Sequence, residues 1–183
     1  MTKTDINNKL RSLGELIIRP TETWKLLMKK PYFKKDILNG FFYPATGIFG
    51  ASEILGMILD TDNGIASFPY IIIYSILIMG GVLASCFLTI YALKFLINSF
   101  NYKGKEHLLY QLLIFPLVLA YFPIAITAIF RSMFFLNILI IYVLYLFWQG
   151  TQMMPGFPKD KTQVFGIISG LFTLGIHLLM FLL

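Results

Sequence analysis

Two ionisable side chains stand where an apolar chain has little reason to keep them. Glu53 interrupts the run from Ile37 to Leu59, and His177 interrupts the run from Val164 to Leu183. Each lies about six residues, or roughly 9 Å at helical rise, from the same end of its segment. An acid and an imidazole at matched depth could share a proton, which is the chemistry of a small proton- or ion-linked transporter or channel. The same residues fit a structural role more simply, with a protonated Glu53 bonded to a nearby backbone or hydroxyl group and His177 bonded near an interface. Glu53→Gln separates the two, since only transport would lose a pH-dependent flux. A second polar set, Lys94, Gln111 and Gln149, lies toward the other end, with Tyr110 and Trp148 alongside. It could line an inner vestibule, or belong to an aromatic belt with a snorkelling lysine.

The usual catalytic constellations are missing. The sequence holds no His-Glu-x-x-His, no Cys-x-x-Cys, no glycine-rich loop ending in Lys-Ser/Thr and no Gly-x-Ser-x-Gly. His107 and His177 are expected at opposite membrane faces, so they cannot share a metal. The single cysteine, Cys86, sits inside an apolar run and reads as a packing residue. The expectation is a protein without enzymatic activity, metal, cofactor or nucleic-acid partner.

What positions these side chains follows from composition. Of 183 residues, 57% are hydrophobic and only 13% charged, and most charges precede residue 37. A soluble domain of this size needs more charge to cover its surface, whereas lipid is itself an apolar solvent. The chain therefore reads as an all-α polytopic membrane protein with five transmembrane helices, at about 37–59, 68–100, 108–130, 133–149 and 164–183. No cleavable signal peptide is expected, because the first twenty residues lack an apolar core. Nine of the fifteen Lys and Arg residues precede the first span, and Lys103, Lys105, Lys159 and Lys161 fall in loops on the same side of a five-span chain. The positive-inside rule then places the amino terminus in the cytoplasm and the carboxyl terminus outside. Arg131, Asp60 and Asp62 remain on the outer side, where Arg131 and an aspartate would form a weak loop ion pair.

Residues 1–36 form a basic arm. Pro20 or Thr21 can open a short helix with Glu22 in its first turn, which places Trp24, Leu27 and Met28 on one face. Ile6, Leu10, Leu13 and Ile17 also recur at helical spacing, so residues 5–18 are expected to form a second amphipathic helix. Trp24 with Lys25, Lys29 and Lys30 suits an interfacial segment lying on anionic headgroups. Gly47, Gly50, Ser52 and Gly56 in the first span and Gly166 and Gly170 in the last permit close helix packing, while Pro44, Pro116 and Pro123 are expected to kink spans one and three.

Three passages together resemble the bacterial branch of the Yip1 family: Pro20-x-x-x-Trp24 ahead of five compact spans, the Lys103-Gly-Lys105 loop, and "YLFWQGTQMMPGFPKDKTQVFG" before the last span. The resemblance covers roughly residues 15–183, with Thr162 where the family has a small residue after Lys161. It implies five membrane helices, a cytoplasmic amino terminus and a trafficking-type, membrane-organising or partner-binding role. Eukaryotic members carry an Asp-Leu-Tyr-Gly-Pro motif and associate with Rab-type GTPases. This sequence lacks that motif, and the resemblance carries no catalytic residues with it. A Phe-, Ile-, Lys- and Asn-rich composition fits an AT-rich bacterial genome and hence a plasma (inner) membrane. Partners expected on these grounds are the bilayer, its anionic headgroups, and a membrane protein or further copies of the chain.

Overall fold

The computed structural model describes residues 3–29, 32–59, 68–100 and 106–182, with the side chains of 3–10, 68, 174 and 176–182 outside the description. All regular structure among the described residues is helical. Two short helices, α1 (Lys3–Ile18) and α2 (Pro20–Lys29), precede the long apolar ones. Those are α3 (Lys34–Leu59), α4 (Phe68–Ser99), α5 (Glu106–Ile129), α6 (Leu139–Gln152) and α7 (Thr162–Leu182). Four stretches among the described residues are long and apolar enough to cross a membrane: α3, most of α4, α5, and Arg131–Gln152, which includes α6. In α7 the described part, Thr162–Thr173, is also apolar.

Local chemistry explains the irregular points. Proline at 44 has no N–H, and its ring would press on the carbonyl of residue 40. The chain meets this by winding Leu38–Phe42 as a π-helical turn inside α3. Pro116 and Pro123 lie within an α5 that continues from Glu106 to Ile129. Arg131–Ile138 wind as a 3-10 helix rather than as the first turns of the fourth expected span. Asn137 there approaches the Thr127 hydroxyl at 3.4 Å, a tether from the end of α5. Gly156 has φ 77°, a left-handed conformation that glycine holds without strain, and it lets the chain reverse between α6 and α7. Phe100, Phe157 and Phe165 cluster over that reversal, with ring centroids 4.9–6.0 Å apart.

In the bundle α3 packs on α4 and α5, α4 on α7, α7 on α6 and α6 on α5. Helix α5 is its axis. Every residue from Leu108 to Tyr121 is buried, while beyond it Pro123 alone is buried and the rest of the helix is at least partly exposed. Lipid-facing side chains form bands elsewhere, notably Tyr70 and Tyr74 near one end of α4 and Tyr91 and Phe95 near the other. The two bands are about twenty residues apart, roughly 30 Å of helix, which matches a hydrocarbon core.

Most serine and threonine hydroxyls buried in the bundle are satisfied by their own helices, while the hydroxyls of Thr46 and Tyr121 have no partner among the described residues. Ser52, Ser75, Ser85 and Thr89 donate to carbonyls three or four residues earlier at 2.6–2.9 Å, and Ser169 does the same to Phe165. In lipid, where water supplies no alternative partner, such back-bonding keeps a hydroxyl affordable.

Close approach between helices rests on glycine. A Cβ at Gly56 would fall 2.0 Å from the Ala128 carbonyl oxygen on α5, whereas one at Gly47 would meet nothing within 4 Å. Gly56→Ala is expected to cost about 1–3 kcal/mol through forced separation of α3 and α5. It should lower the unfolding temperature in detergent, and Gly47→Ala should leave that temperature unchanged.

Candidate functional site

The residues around Trp24 carry the most specific geometry in the molecule. Pro20 begins α2 where a missing N–H costs nothing, Glu22 lies in its first turn and Lys29 in its last, so dipole and charges agree. The helix turns Thr23, Trp24, Leu27 and Met28 inward and leaves Lys25 and Lys29 exposed. This is the expected amphipathic face, but its partner is protein. Trp24 is fully buried rather than set among headgroups. Its indole N–H donates to the Leu146 carbonyl of α6 at 2.9 Å. A carbonyl oxygen has two lone pairs, so Leu146 can take this bond in addition to its helical one. The ring is seated on Gly150, where a Cβ would lie 2.9 Å from indole carbons and 2.5 Å from Leu112. Its other side meets Phe115 edge-on, and Phe115 also packs on Phe41 and Tyr32.

Helix α1 docks on the same side of the bundle. Leu13 and Leu16 are buried, and the Tyr142 hydroxyl donates to the Ile17 carbonyl at 2.7 Å. Arg11 pairs with Glu15 at 2.7 Å and Arg19 with Glu22 at 3.9 Å, while Lys25 and Lys29 stand exposed. Exposed Ile18, Leu26 and Phe33 leave that outer surface amphipathic. Beneath α1, an apolar cavity of about 340 Å³ lies between Leu13, Ile17, Leu119, Phe122 and Val143. Lys30 lies outside the described residues.

The other expected site residues separate into unconnected places. Lys94 pairs with Glu106 at 2.6 Å, and its ammonium stands 5.8 Å from the Tyr110 ring, with Lys34 over the same ring at 4.8 Å. Gln111 instead faces α2, is fully buried, and donates to the Leu27 carbonyl at 3.3 Å. Its side-chain oxygen has no partner among the described residues. Gln149 donates to the Tyr145 hydroxyl at 3.1 Å. No hydrogen bond or ion pair links the three among the described residues, and Gln111 fastens α2 to α5.

Glu53 is half-buried on α3, and Arg131 lies within electrostatic reach of it. The side chain of His177 lies outside the described residues, as do Asp60 and Asp62. The expected meeting of Glu53 with His177 therefore lies outside the described residues. No group of three or more potential metal ligands occurs among the described residues.

Sequence reasoning passed over Tyr142, Gly150 and Phe115. Gly150 was within reach, because it lies in the same passage as Tyr145-Leu146, one turn from the carbonyl that Trp24 uses. No protein-family model, curated protein or solved structure matches the chain.

Two substitutions test the seat. Trp24→Phe keeps the ring and removes the N–H, which should cost about 1 kcal/mol, within the range of membrane hydrogen bonds. Gly150→Ala should cost more, about 1–3 kcal/mol, because neither the Trp24 ring nor Leu112 can yield freely. Thermal unfolding in detergent, with limited proteolysis at Arg19 as the local readout, should show α1 and α2 loosening before the bundle does.

Proposed function

We propose that the chain is a five-span integral membrane protein, amino terminus cytoplasmic and carboxyl terminus outside, in a bacterial plasma membrane. We further propose a Yip1-like, non-enzymatic role in organising the membrane or holding a membrane partner, exerted through shape. The observation that carries this reading is the lopsided enclosure of α5. Its first half is buried on all sides from Leu108 to Tyr121, because α1 and α2 are added to the bundle there. Its second half has no such layer and is partly exposed. A body with a greater cross-section at one membrane face favours the convex side of a curved bilayer. Hydrogen bonds at Leu146 and Ile17 make the extra width a fixed part of the molecule.

The alternative, a proton- or ion-linked transporter using Glu53 and His177, has less support. Arg131 lies within electrostatic reach of Glu53, which suits a structural role for the acid, and Ser52, Ser85 and Thr89 are engaged by their own backbones.

In proteoliposomes of mixed diameter, chains with α1 and α2 on the convex leaflet should be enriched in the smallest vesicles, read by protease access to Arg19. Trp24→Ala, which unseats the layer, should erase that bias. Equal orientation at all diameters would defeat the wedge reading. A pH-dependent flux through the same vesicles, lost in Glu53→Gln, would establish the transporter instead.

A further inference from the structure

On the lipid-facing side of α6 and α7, a groove of about 510 Å³ runs between the two helices. That is within the roughly 300–1,000 Å³ typical of small-molecule sites. Its two ends differ in chemistry. At the end next to the 153–161 reversal stand Tyr145, Trp148 and Gln163, and farther along the lining is Leu144, Ile167, Gly170 and Leu171. From Gln163 to Gly170 is roughly 10 Å along the helix. Gln149 donates to the Tyr145 hydroxyl and holds that ring in place. The Trp148 indole N–H and the Gln163 amide have no hydrogen-bond partner among the described residues.

The two glycines give the groove its profile. At Gly166 the helices nearly touch, since a Cβ there would lie 2.7 Å from the Thr151 hydroxyl and 2.9 Å from the Trp148 ring. At Gly170 the nearest atoms, on Leu144 and Phe147, are 3.9 Å away. The cleft therefore widens toward the middle of the bilayer. Both glycines are turned to α6, so the small-residue pair is spent on packing within the chain, and a second helix would find no close approach there. Just ahead of Gln163, the reversal carries the exposed Lys159 and Lys161, and the ion pairs among the described residues involve neither.

We propose that this groove holds one anionic phospholipid from the leaflet on the Lys159 side. Its phosphate oxygens accept from the Trp148 N–H and the Gln163 amide, with Lys159 and Lys161 supplying countercharge. One acyl chain descends over Gly166 into the wider space beside Gly170. The order of chemistry along the groove, cationic, hydrogen-bonding and then apolar, is that of a phospholipid and not of a transmembrane helix. Nothing in this site depends on the wedge proposed above.

The chain has two tryptophans, and Trp24 is buried in protein, so Trp148 is a built-in reporter. The Trp24→Phe protein is reconstituted in mixtures of phosphatidylglycerol and phosphatidylcholine, with one or the other carrying brominated chains that quench indole fluorescence on contact. Brominated phosphatidylglycerol should half-quench Trp148 at a mole fraction about fivefold lower, or less, than brominated phosphatidylcholine, as one to two surface lysines would dictate. Lys159→Gln with Lys161→Gln should remove that preference, and Gly170→Leu, which fills the groove, should weaken quenching by both lipids. Titrating the intact chain, with Trp148→Phe as the blank, reads the same quantity without disturbing Trp24. Equal quenching by both lipids would reduce the groove to ordinary annular contact and overturn the site. Quenching that rises as protein is diluted into lipid would also overturn it, by identifying a second copy as the occupant.

Discussion

One indole governs the arrangement of this protein. Trp24 gives its N–H to a carbonyl of α6, its ring to a glycine of the same helix and its edge to Phe115 of α5. Lipid tails are as apolar as leucine, so exclusion of water cannot by itself hold α2 in this position. A directional bond in surroundings of low dielectric can, because the alternative is an unpaired donor in hydrocarbon. Once α2 is seated, α1 is brought to Tyr142, Gln111 is covered, and Tyr32 and Phe41 close over Phe115. The amino-terminal layer, the enclosed half of α5 and the inner shape of the bundle all descend from that bond.

The same physics sets the rest of the packing. Helices that cannot rely on water to press them together must approach closely, and Gly56, Gly150 and Gly166 each stand where a methyl group would strike a neighbour. Gly47, Gly80 and Gly81 face open space, so glycine abundance alone does not mark a contact. Ser52, Ser75, Ser85 and Thr89 follow a parallel economy, each bonded to its own helix.

Long apolar runs were legible because in lipid a helix is the solution that satisfies its own backbone. The expected segment at 68–100 is the helix Phe68–Ser99, and that at 108–130 is Glu106–Ile129, within two residues at either end. The amphipathic pattern of α1 and α2 was legible too, but not what it faces. An apolar stripe edged with lysines has the same periodicity whether it rests on headgroups or on a neighbouring helix. Trp24 was singled out from its type and spacing, yet its acceptor lies 122 residues away and is a main-chain oxygen, which no side-chain pattern announces. Glu53 was paired by depth with His177, whose side chain lies outside the described residues, and Arg131, in what read as a turn, lies within electrostatic reach of it. Two of the three passages that carried the family resemblance, those beginning at Pro20 and at Tyr145, meet where Trp24 contacts Leu146 and Gly150.

The π-helical turn at Leu38–Phe42 acts as a splice in α3. A wide turn takes up one residue more than a regular helix would, so everything beyond it is rotated by roughly 100° relative to what precedes it. That rotation lets one continuous rod keep contact with α5 on both sides of the turn. Phe41 turns to the Phe115 cluster on the side of the amino-terminal layer, while Phe49 stacks on Tyr121 and Gly56 abuts Ala128 farther along. The α3 rod is thus keyed to α5 on either side of the splice, and loss of the extra residue would turn Phe49 and Gly56 away from it.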